Sequence, residues 1–224
     1  SDGLKIYTSI DSRMQKHAEK AVEAHFKSYL QEAFDRNNKK CKNPPFSNDI
    51  SRIQIDTILN KSLRQSMFYK KLIGKTCSYC ERPKKYIQKV DNGYECSYCG
   101  TISPSYTKIE IDKKLNSKRK IKVFDWNSEN FEKDTLFSAR DSVKYYKGLL
   151  RSGLMSMDPH SGQIKAWVGG PNFKHFKYDM VSKGKRQVGS TFKPFLYALA
   201  VQEGYSACKK IPNVPVVFDK NIWK

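Results

Sequence analysis

Long apolar runs are what this chain of 224 residues most clearly lacks. It contains no stretch of 18 apolar residues, and its first residues do not form the basic and then apolar segment of a secretory signal. We therefore expect neither a membrane span nor an intact signal peptide within this sequence. Acidic residues are also scarce: 22 Asp and Glu stand against 42 Lys and Arg, which gives a formal net charge of +20. The mean hydropathy is -0.70.

The surplus of positive charge indicates an anionic partner, such as a nucleic acid, an anionic membrane surface or an acidic polymer. The basic residues are spread along the chain, and the longest basic stretch covers only residues 113–122. A solvated surface explains such a distribution equally well. Charge alone therefore raises a nucleic-acid hypothesis without deciding it.

The first 73 residues are predicted to form linker elements, namely a strand and helices. Alternating apolar and polar residues over 4–10 predict a half-buried strand. Asp11 is placed to cap an amphipathic helix that continues to about residue 38. A second helix is predicted over residues 49–73, with Gly74 in position to end it.

Four of the six cysteines form two Cys-x-x-Cys pairs separated by fifteen residues: Cys77, Cys80, Cys96 and Cys99. This spacing is typical of a structural Zn²⁺ site with four thiolate ligands, in which each pair sits on a tight turn, or knuckle. Gly100 suits the second knuckle, whereas Glu81 at the equivalent place in the first suits it less. Two disulfides or free thiols are the alternatives. We call residues 74–104 the ribbon and interpret them as a zinc-ribbon-like insert.

Tyr79 and Tyr98 lie inside the two knuckles. Their rings could stack on nucleic-acid bases. The alternative is that they cover the metal site.

After the ribbon, the pattern changes to mixed α and β elements. Ser138 and Asp141 have the spacing of a capping box, which predicts a helix that closes at Gly153. Two strand-like runs, 154–157 and 164–168, flank a segment of turn residues and predict an antiparallel hairpin.

A last helix is expected over residues 190–203, before Gly204, and residues 211–218 are expected to be extended. The fold class predicted for the whole chain is α+β. Its predicted divisions are 1–73, the ribbon, and 105–224.

The segment Ser190-Thr191-Phe192-Lys193 has the residue types that a serine nucleophile needs. An alcohol is a weak nucleophile at neutral pH and needs a nearby base, and Ser and Lys three positions apart share one helix face. A serine at a helix start also lies at the positive end of the helix dipole, and a buried lysine with a lowered pKa can accept its proton. The motif alone is weak, because it also begins at Ser105, Ser117, Ser182 and Ser206.

Three tracts place the motif in a context: residues 6–22, 157–170 and 186–200. The last tract, with Ser190 and Lys193 at its centre, resembles the nucleophile segment of the penicillin-binding proteins. The second is similar to the first hairpin of the same domain, and the first to the segment that begins the transpeptidase half of the class A members. The resemblance covers residues 4–36 and 122–218. It implies that 105–224 is the first part of a transpeptidase domain.

What the resemblance implies is an enzyme that cross-links peptidoglycan by acyl transfer. Ser190 would attack the D-Ala-D-Ala amide of a stem peptide with Lys193 as the base, and an amine of a neighbouring stem would accept the acyl group. It further implies inhibition by β-lactams, no cofactor for catalysis, and a membrane-anchored parent protein at the outer face of a bacterial inner membrane. Four reduced thiolates are less expected in such an oxidising compartment. The ribbon lies outside the resemblance, and a docking surface for a cell-envelope protein is one role considered for it.

Some family motifs are missing from the positions where the family has them, and Ser128-Glu129-Asn130 does not qualify because it lies upstream of the nucleophile. Neither a Ser-x-Asn nor a Lys-Thr/Ser-Gly motif follows Lys193, and no glycosyltransferase half precedes residues 6–22. We therefore expect a fragment that is inactive by itself, with an exposed sheet edge at the 154–168 hairpin. The alternative function comes from a different class: a basic zinc-ribbon module that binds nucleic acid, in which Ser190 and Lys193 are incidental.

Overall fold

The structure is a computed structural model that describes residues 3–210 and 212–215. It combines helices with small antiparallel sheets, as the sequence predicts. The chain divides into two compact units, 1–183 and 184–224, and each is described by itself. The divisions at residues 73 and 104 stay predictions. Among the described residues, no helix combines the length and the apolar character that crossing a membrane requires.

The first unit begins with a long helical segment in three consecutive parts: helix α1 (Ser12–His25), a π-helical turn (Phe26–Leu30) and helix α2 (Gln31–Asn38). Asp11 caps this segment as predicted. Its Oδ1 accepts hydrogen bonds from the backbone N–H groups two and three residues later, at 2.8 and 3.1 Å.

The predicted strand over residues 4–10 is wrong. The segment has no strand ladder, and its Leu, Ile and Tyr side chains are exposed. An alternating pattern forms a strand only where a neighbour supplies backbone partners along its length. This segment meets its neighbour at single points: Ser9 Oγ donates to the carbonyl of Ile164 at 2.8 Å, and the Asp11 N–H donates to the carbonyl of Lys165 at 3.0 Å.

Two helices, α3 (Arg52–Gln65) and α4 (Met67–Leu72), stand where the sequence predicts a single helix over 49–73. The break is at Ser66, whose ψ of 148° is extended. The Ser66 hydroxyl donates to a carbonyl in the last turn of α3 at 2.6 Å and accepts from a backbone N–H in the first turn of α4 at 3.2 Å. Gly74, with a φ of 64°, follows α4 in the position predicted for it.

The ribbon contains a three-stranded antiparallel sheet in chain order, made of β1 (Ile87–Val90), β2 (Gly93–Cys96) and β3 (Ile102–Pro104). The sheet packs against the end of α4, where Gly74 lies so close to the ring of Tyr94 that an added Cβ would overlap it. A side chain at Gly74 would therefore push the ribbon away from the helix.

Four elements follow the ribbon: α5 (Lys108–Asn116), β4 (Arg119–Phe124), β5 (Glu132–Phe137) and α6 (Ala139–Lys147). The strands β4 and β5 form an antiparallel pair. The capping box of Ser138 and Asp141 is present as predicted: the Ser138 hydroxyl accepts from the Asp141 N–H at 3.1 Å, and the Asp141 carboxylate accepts from the Ser138 N–H at 3.0 Å.

Helix α6 ends at Gly148, whereas the sequence predicts that it ends at Gly153. A tertiary contact is the reason. The side chain of Gln31 donates to the Gly148 carbonyl at 2.9 Å and accepts from the Leu150 N–H at 3.0 Å. These bonds engage backbone groups that a longer helix would need for itself.

The predicted hairpin is confirmed as β6 (Leu154–Met157) and β7 (Ile164–Val168), which pair antiparallel. The sequence predicts an exposed edge at this hairpin. Part of the β7 edge is instead covered, because the N-terminal segment bonds to it. The main hydrophobic core lies where this hairpin, α1 and β4 pack together. It consists of Ala18, Val22, Phe26, Phe124, Trp126, Ala166, Val168 and Phe176.

The second unit contains a 3₁₀ turn (Gly189–Phe192) that leads into helix α7 (Lys193–Gln202). Together they match the helix predicted over 190–203. Residues 212–215 form no strand, and the rest of the extended stretch predicted for 211–218 lies outside the described residues.

Candidate functional site

Ser190 and Lys193 lie on one turn at the start of α7. The backbone N–H of Lys193 donates to the carbonyl of Ser190, which closes the 3₁₀ turn. In such a turn, residues three apart are nearly eclipsed, so both side chains leave the same side of the chain. Pro194 follows in the first turn of α7, where its fixed φ suits a helix start. The structure therefore gives the two residues the shared face that the sequence predicts.

The two side chains do not engage each other in this unit. Both are exposed, and the Ser190 hydroxyl and the Lys193 ammonium make no hydrogen bond to one another. The apolar side chains of α7 are exposed too, including Phe195 at 69% and Tyr197 at 65%. Ser190, Lys193 and the apolar side chains of α7 are thus all exposed to solvent, and this unit does not enclose them in a site that excludes water.

The four ribbon cysteines come together as a compact cluster. All four Sγ atoms lie within 4.8 Å of one another. Cys77 and Cys99 are 3.6 Å apart, and so are Cys80 and Cys96, so each close pair takes one sulfur from each knuckle. Cys77 and Cys96 are 2% and 1% exposed. The cluster is buried on one side and joins the two knuckles.

The two knuckles have nearly the same backbone geometry. The Cys77 N–H donates to the carbonyl of Arg82 at 2.9 Å, and the Cys96 N–H donates to that of Thr101 at 3.0 Å, five residues on in both cases. The residue after the second cysteine is left-handed in both, with a φ of 58° at Glu81 and 68° at Gly100.

Glu81 takes this conformation although it is not glycine. Its carboxylate pairs with the ammonium of Lys71 at 2.9 Å, and this hydrogen bond lowers the pKa of Glu81. A single residue with a side chain costs about 1 to 2 kcal/mol in the left-handed region. The ion pair with α4 helps to hold the first knuckle in a shape that the sequence favoured only for the second.

The thiols of the cluster differ in acidity. Burial raises the pKa of Cys80 to about 12. The hydroxyl of Thr101, followed by its backbone N–H, lowers the pKa of Cys99 to about 6. Thr101 thus stabilises the thiolate form of Cys99.

The knuckle tyrosines are in different surroundings. The guanidinium of Arg82 lies over the ring of Tyr98, with 4.0 Å between them, and Tyr86 meets Tyr98 edge to face at 6.1 Å. Tyr79 is exposed. Tyr98 thus already has a cationic partner on its ring.

Two glutamines organise the first unit, and the pattern of apolar residues gives no signal for them. Gln15 binds the backbone of Trp167, and Gln31 binds the segment after α6. Both lie on the inner side of the long helical segment. Gln15 is half-buried, and Gln31 is buried, with 7% of its surface exposed. A glutamine among apolar helix positions is the only hint of such a role.

Comparison with known proteins finds similarity over part of the chain. A model of the penicillin-binding protein middle domain matches residues 103–150. Penicillin-binding protein 1A of Pseudomonas aeruginosa is 41% identical over 68 residues, and that of Escherichia coli K12 is 37% identical over 67 residues. The same protein of Neisseria lactamica is 38% identical over 68 residues. Over this part of its length, the chain is similar to these penicillin-binding proteins.

The match covers a small part of these penicillin-binding proteins. It takes in 30% of this chain and 8% of each of the three relatives. The middle-domain match runs from the end of β3 through α5, β4, β5 and α6. The turn that carries Ser190 and the four cysteines both lie outside residues 103–150.

Proposed function

We propose that Ser190 is the nucleophile of a serine D,D-transpeptidase and that this chain is part of that enzyme. The observation that carries the proposal is the turn at the start of α7, which brings Ser190 and Lys193 to one side of the chain. The similarity of residues 103–150 to the middle domain of penicillin-binding proteins supports the same chemistry. Peptidoglycan stem peptides are then the substrates and β-lactams the inhibitors.

The reaction follows from the residues on that turn. Ser190 Oγ attacks the carbonyl between the two D-Ala residues, and Lys193 Nζ accepts the hydroxyl proton. The amide bond breaks, the terminal D-Ala leaves with a proton on its amine, and an ester to Ser190 remains. An amine of a second stem peptide then attacks the ester and restores the serine hydroxyl.

The N-terminal end of α7 suits the negative charge that develops in this reaction. Backbone N–H groups at a helix start are not used within the helix and point toward a neighbouring anion. The N–H of Ser190 is proposed as one donor to the oxyanion. Loss of one such donor in other enzymes lowers the rate by about 10² to 10³.

The exposed surface of α7 indicates that this unit works within a larger domain. A helix that is apolar on all sides is normally buried, and α7 carries Phe195, Leu196, Tyr197 and Leu199 in exposed positions. We propose that the rest of a transpeptidase domain covers this helix and dries the site. That domain would also bring the Ser-x-Asn and Lys-Thr/Ser-Gly motifs. We propose that the complete enzyme acts at the outer face of the inner membrane.

The nucleic-acid alternative has less support. It needs ribbon tyrosines that are free to stack on bases, and the ring of Tyr98 already lies under Arg82. In addition, the elements that follow the ribbon match the penicillin-binding protein middle domain over residues 103–150, which does not favour a nucleic-acid-binding module.

Labelling of the full-length protein with a fluorescent penicillin tests the proposed function. The wild-type protein should form a covalent band on a denaturing gel, and Ser190→Ala should abolish it. Ser206→Ala is the matched control, because Ser206 begins another Ser-x-x-Lys in the same unit and should leave labelling unchanged. Equal labelling of Ser190→Ala and wild type would refute the proposal.

A further inference from the structure

We propose that Cys77, Cys80, Cys96 and Cys99 bind one Zn²⁺ ion in a closed, structural site, independent of the transpeptidase chemistry. The proposal rests on the geometry of the cluster and on how the ribbon is built. It assigns the ribbon a metal that the acyl-transfer reaction does not need.

The distances between the sulfurs fit a tetrahedral ion. Zn–S bonds are about 2.3 Å long, so two sulfurs on one tetrahedron are about 3.8 Å apart. The pairs Cys77–Cys99 and Cys80–Cys96 are 3.6 Å apart, and no two of the four sulfurs are more than 4.8 Å apart. A disulfide needs about 2.05 Å between its sulfurs.

The paired knuckles add a second, independent argument. Zinc knuckles turn backbone N–H groups toward their sulfurs, which disperses the charge of the thiolates. In this chain both knuckles share the same closing hydrogen bond and the same left-handed residue after the second cysteine. The ribbon adopts the ligand-holding shape at Glu81 even though the residue type does not favour it.

The ribbon also lacks the apolar core that would otherwise hold it together. The three hydrophobic clusters of the described chain contain no residue from 74–104. Its strands are only three or four residues long, and its most deeply buried side chains are Cys77 and Cys96. An ion that joins the knuckles replaces a core in small domains of this kind.

Burial and ligand count indicate a structural rather than a catalytic ion. Four thiolates fill a tetrahedral shell and leave no position for water or substrate. The hydroxyls of Ser78 and Ser103, 2.7 Å apart, tie the first knuckle to β3, and Thr101 Oγ1 lies 3.3 Å from Cys99 Sγ. These contacts hold the cysteine ligands in place, as hydrogen bonds to the ligands do in other zinc sites.

Metal analysis of the purified 224-residue chain tests the proposal. Prepared with reductant and zinc and then freed of loose metal, it should retain one Zn²⁺ per chain. Cys80→Ser and Cys99→Ser should lower the zinc content at least severalfold, whereas the controls Cys41→Ser and Cys208→Ser should keep one ion.

A second measurement covers the case in which a ligand variant does not fold. The wild-type chain, stripped of metal and titrated with Co²⁺, should develop the visible absorption of tetrahedral cobalt thiolate and saturate at one ion per chain, and Zn²⁺ should displace it. Substoichiometric zinc, an octahedral cobalt spectrum, or disulfides among the four cysteines in the reductant-treated chain would each overturn the proposal. None of these results depends on penicillin labelling, so failure of this site and failure of Ser190 as nucleophile are distinguishable.

Discussion

Gln15 and Trp167 exchange two hydrogen bonds across 152 residues of sequence. The Gln15 amide donates from Nε2 to the Trp167 carbonyl at 3.0 Å, and its Oε1 accepts from the Trp167 N–H at 2.7 Å. One side chain of α1 thereby takes the place of a neighbouring strand at the edge of β7. Together with the bonds from Ser9 and Asp11 to β7, this contact covers part of the hairpin edge although residues 4–10 form no strand.

Replacing Gln15 should loosen the hairpin from α1. Gln15→Ala leaves a part-buried N–H and carbonyl of Trp167 without partners, which costs about 1 to 3 kcal/mol. The free energy of unfolding, measured by urea denaturation, should fall by that amount. Lys16→Ala, an exposed change on the same helix, should have little effect.

Gln15→Glu separates the hydrogen bonds from simple packing. It keeps the volume but replaces the donor with a carboxylate that faces the Trp167 carbonyl and Glu19, which accepts from Gln15 at 2.7 Å. The variant should be destabilised at pH 7 and regain stability as its new carboxyl is protonated. If Gln15→Glu and wild type were equally stable at pH 7 as well as at a pH that protonates the new carboxyl, the role assigned to this amide would be contradicted.

Replacing Gly74, which lies at the contact between α4 and the ribbon, should destabilise the fold. Gly74→Ala places a Cβ in the ring of Tyr94 and also strains a left-handed residue. Gly162→Ala has the same strain, with a φ of 70°, but open space around it. We expect about 1 to 2 kcal/mol of destabilisation for Gly162→Ala and about 1 to 3 kcal/mol more for Gly74→Ala. Thermal unfolding checks the difference, and equal losses would show that the Tyr94 contact is unimportant.

Glu132 should contribute to stability in a pH-dependent way. Its carboxylate accepts from Lys174 Nζ at 2.7 Å and lies 2.7 Å from His175 Nε2, and these partners, Lys174 first, hold the pKa of Glu132 below its ordinary value of 4.5. A lowered pKa in the folded chain means that the contribution is complete above about pH 4.5 and is lost as the pH falls through the lowered pKa.

Unfolding free energies between pH 7 and pH 3 measure this contribution. The loss on acidification should be smaller in Glu132→Gln than in wild type. Asp134→Asn, an exposed change on the same strand, should leave the pH dependence unchanged. A curve for Glu132→Gln parallel to that of wild type would show that this carboxylate is not a source of the acid sensitivity.

Local signals in the sequence predicted the features that depend on local chemistry. The cap at Asp11, the capping box at Ser138 and the hairpin at 154–168 each follow from residues only a few positions apart. The approach of the four cysteines to one another is likewise consistent with their spacing. These patterns are informative because their hydrogen bonds or turns close within a few residues.

Features that depend on distant partners were not predictable in this way. Residues 4–10 have the alternation of a strand, but among the described residues they bond to β7 only through Ser9, which makes no ladder. Helix α6 ends early because Gln31, more than a hundred residues away, binds the backbone at Gly148. Glu81 takes a left-handed conformation that its residue type disfavours, with Lys71 of α4 as its partner. In each case a tertiary contact overrides a local preference.

Identifying the residue that a β-lactam acylates tests Ser190 as the nucleophile most directly. The full-length protein is incubated with a penicillin, digested and analysed by mass spectrometry. We expect a single adduct on the peptide that contains Gly189-Ser190-Thr191-Phe192, with the mass of the opened β-lactam on Ser190. An adduct on Ser105, Ser117, Ser182 or Ser206, or no adduct on this chain, would contradict this assignment.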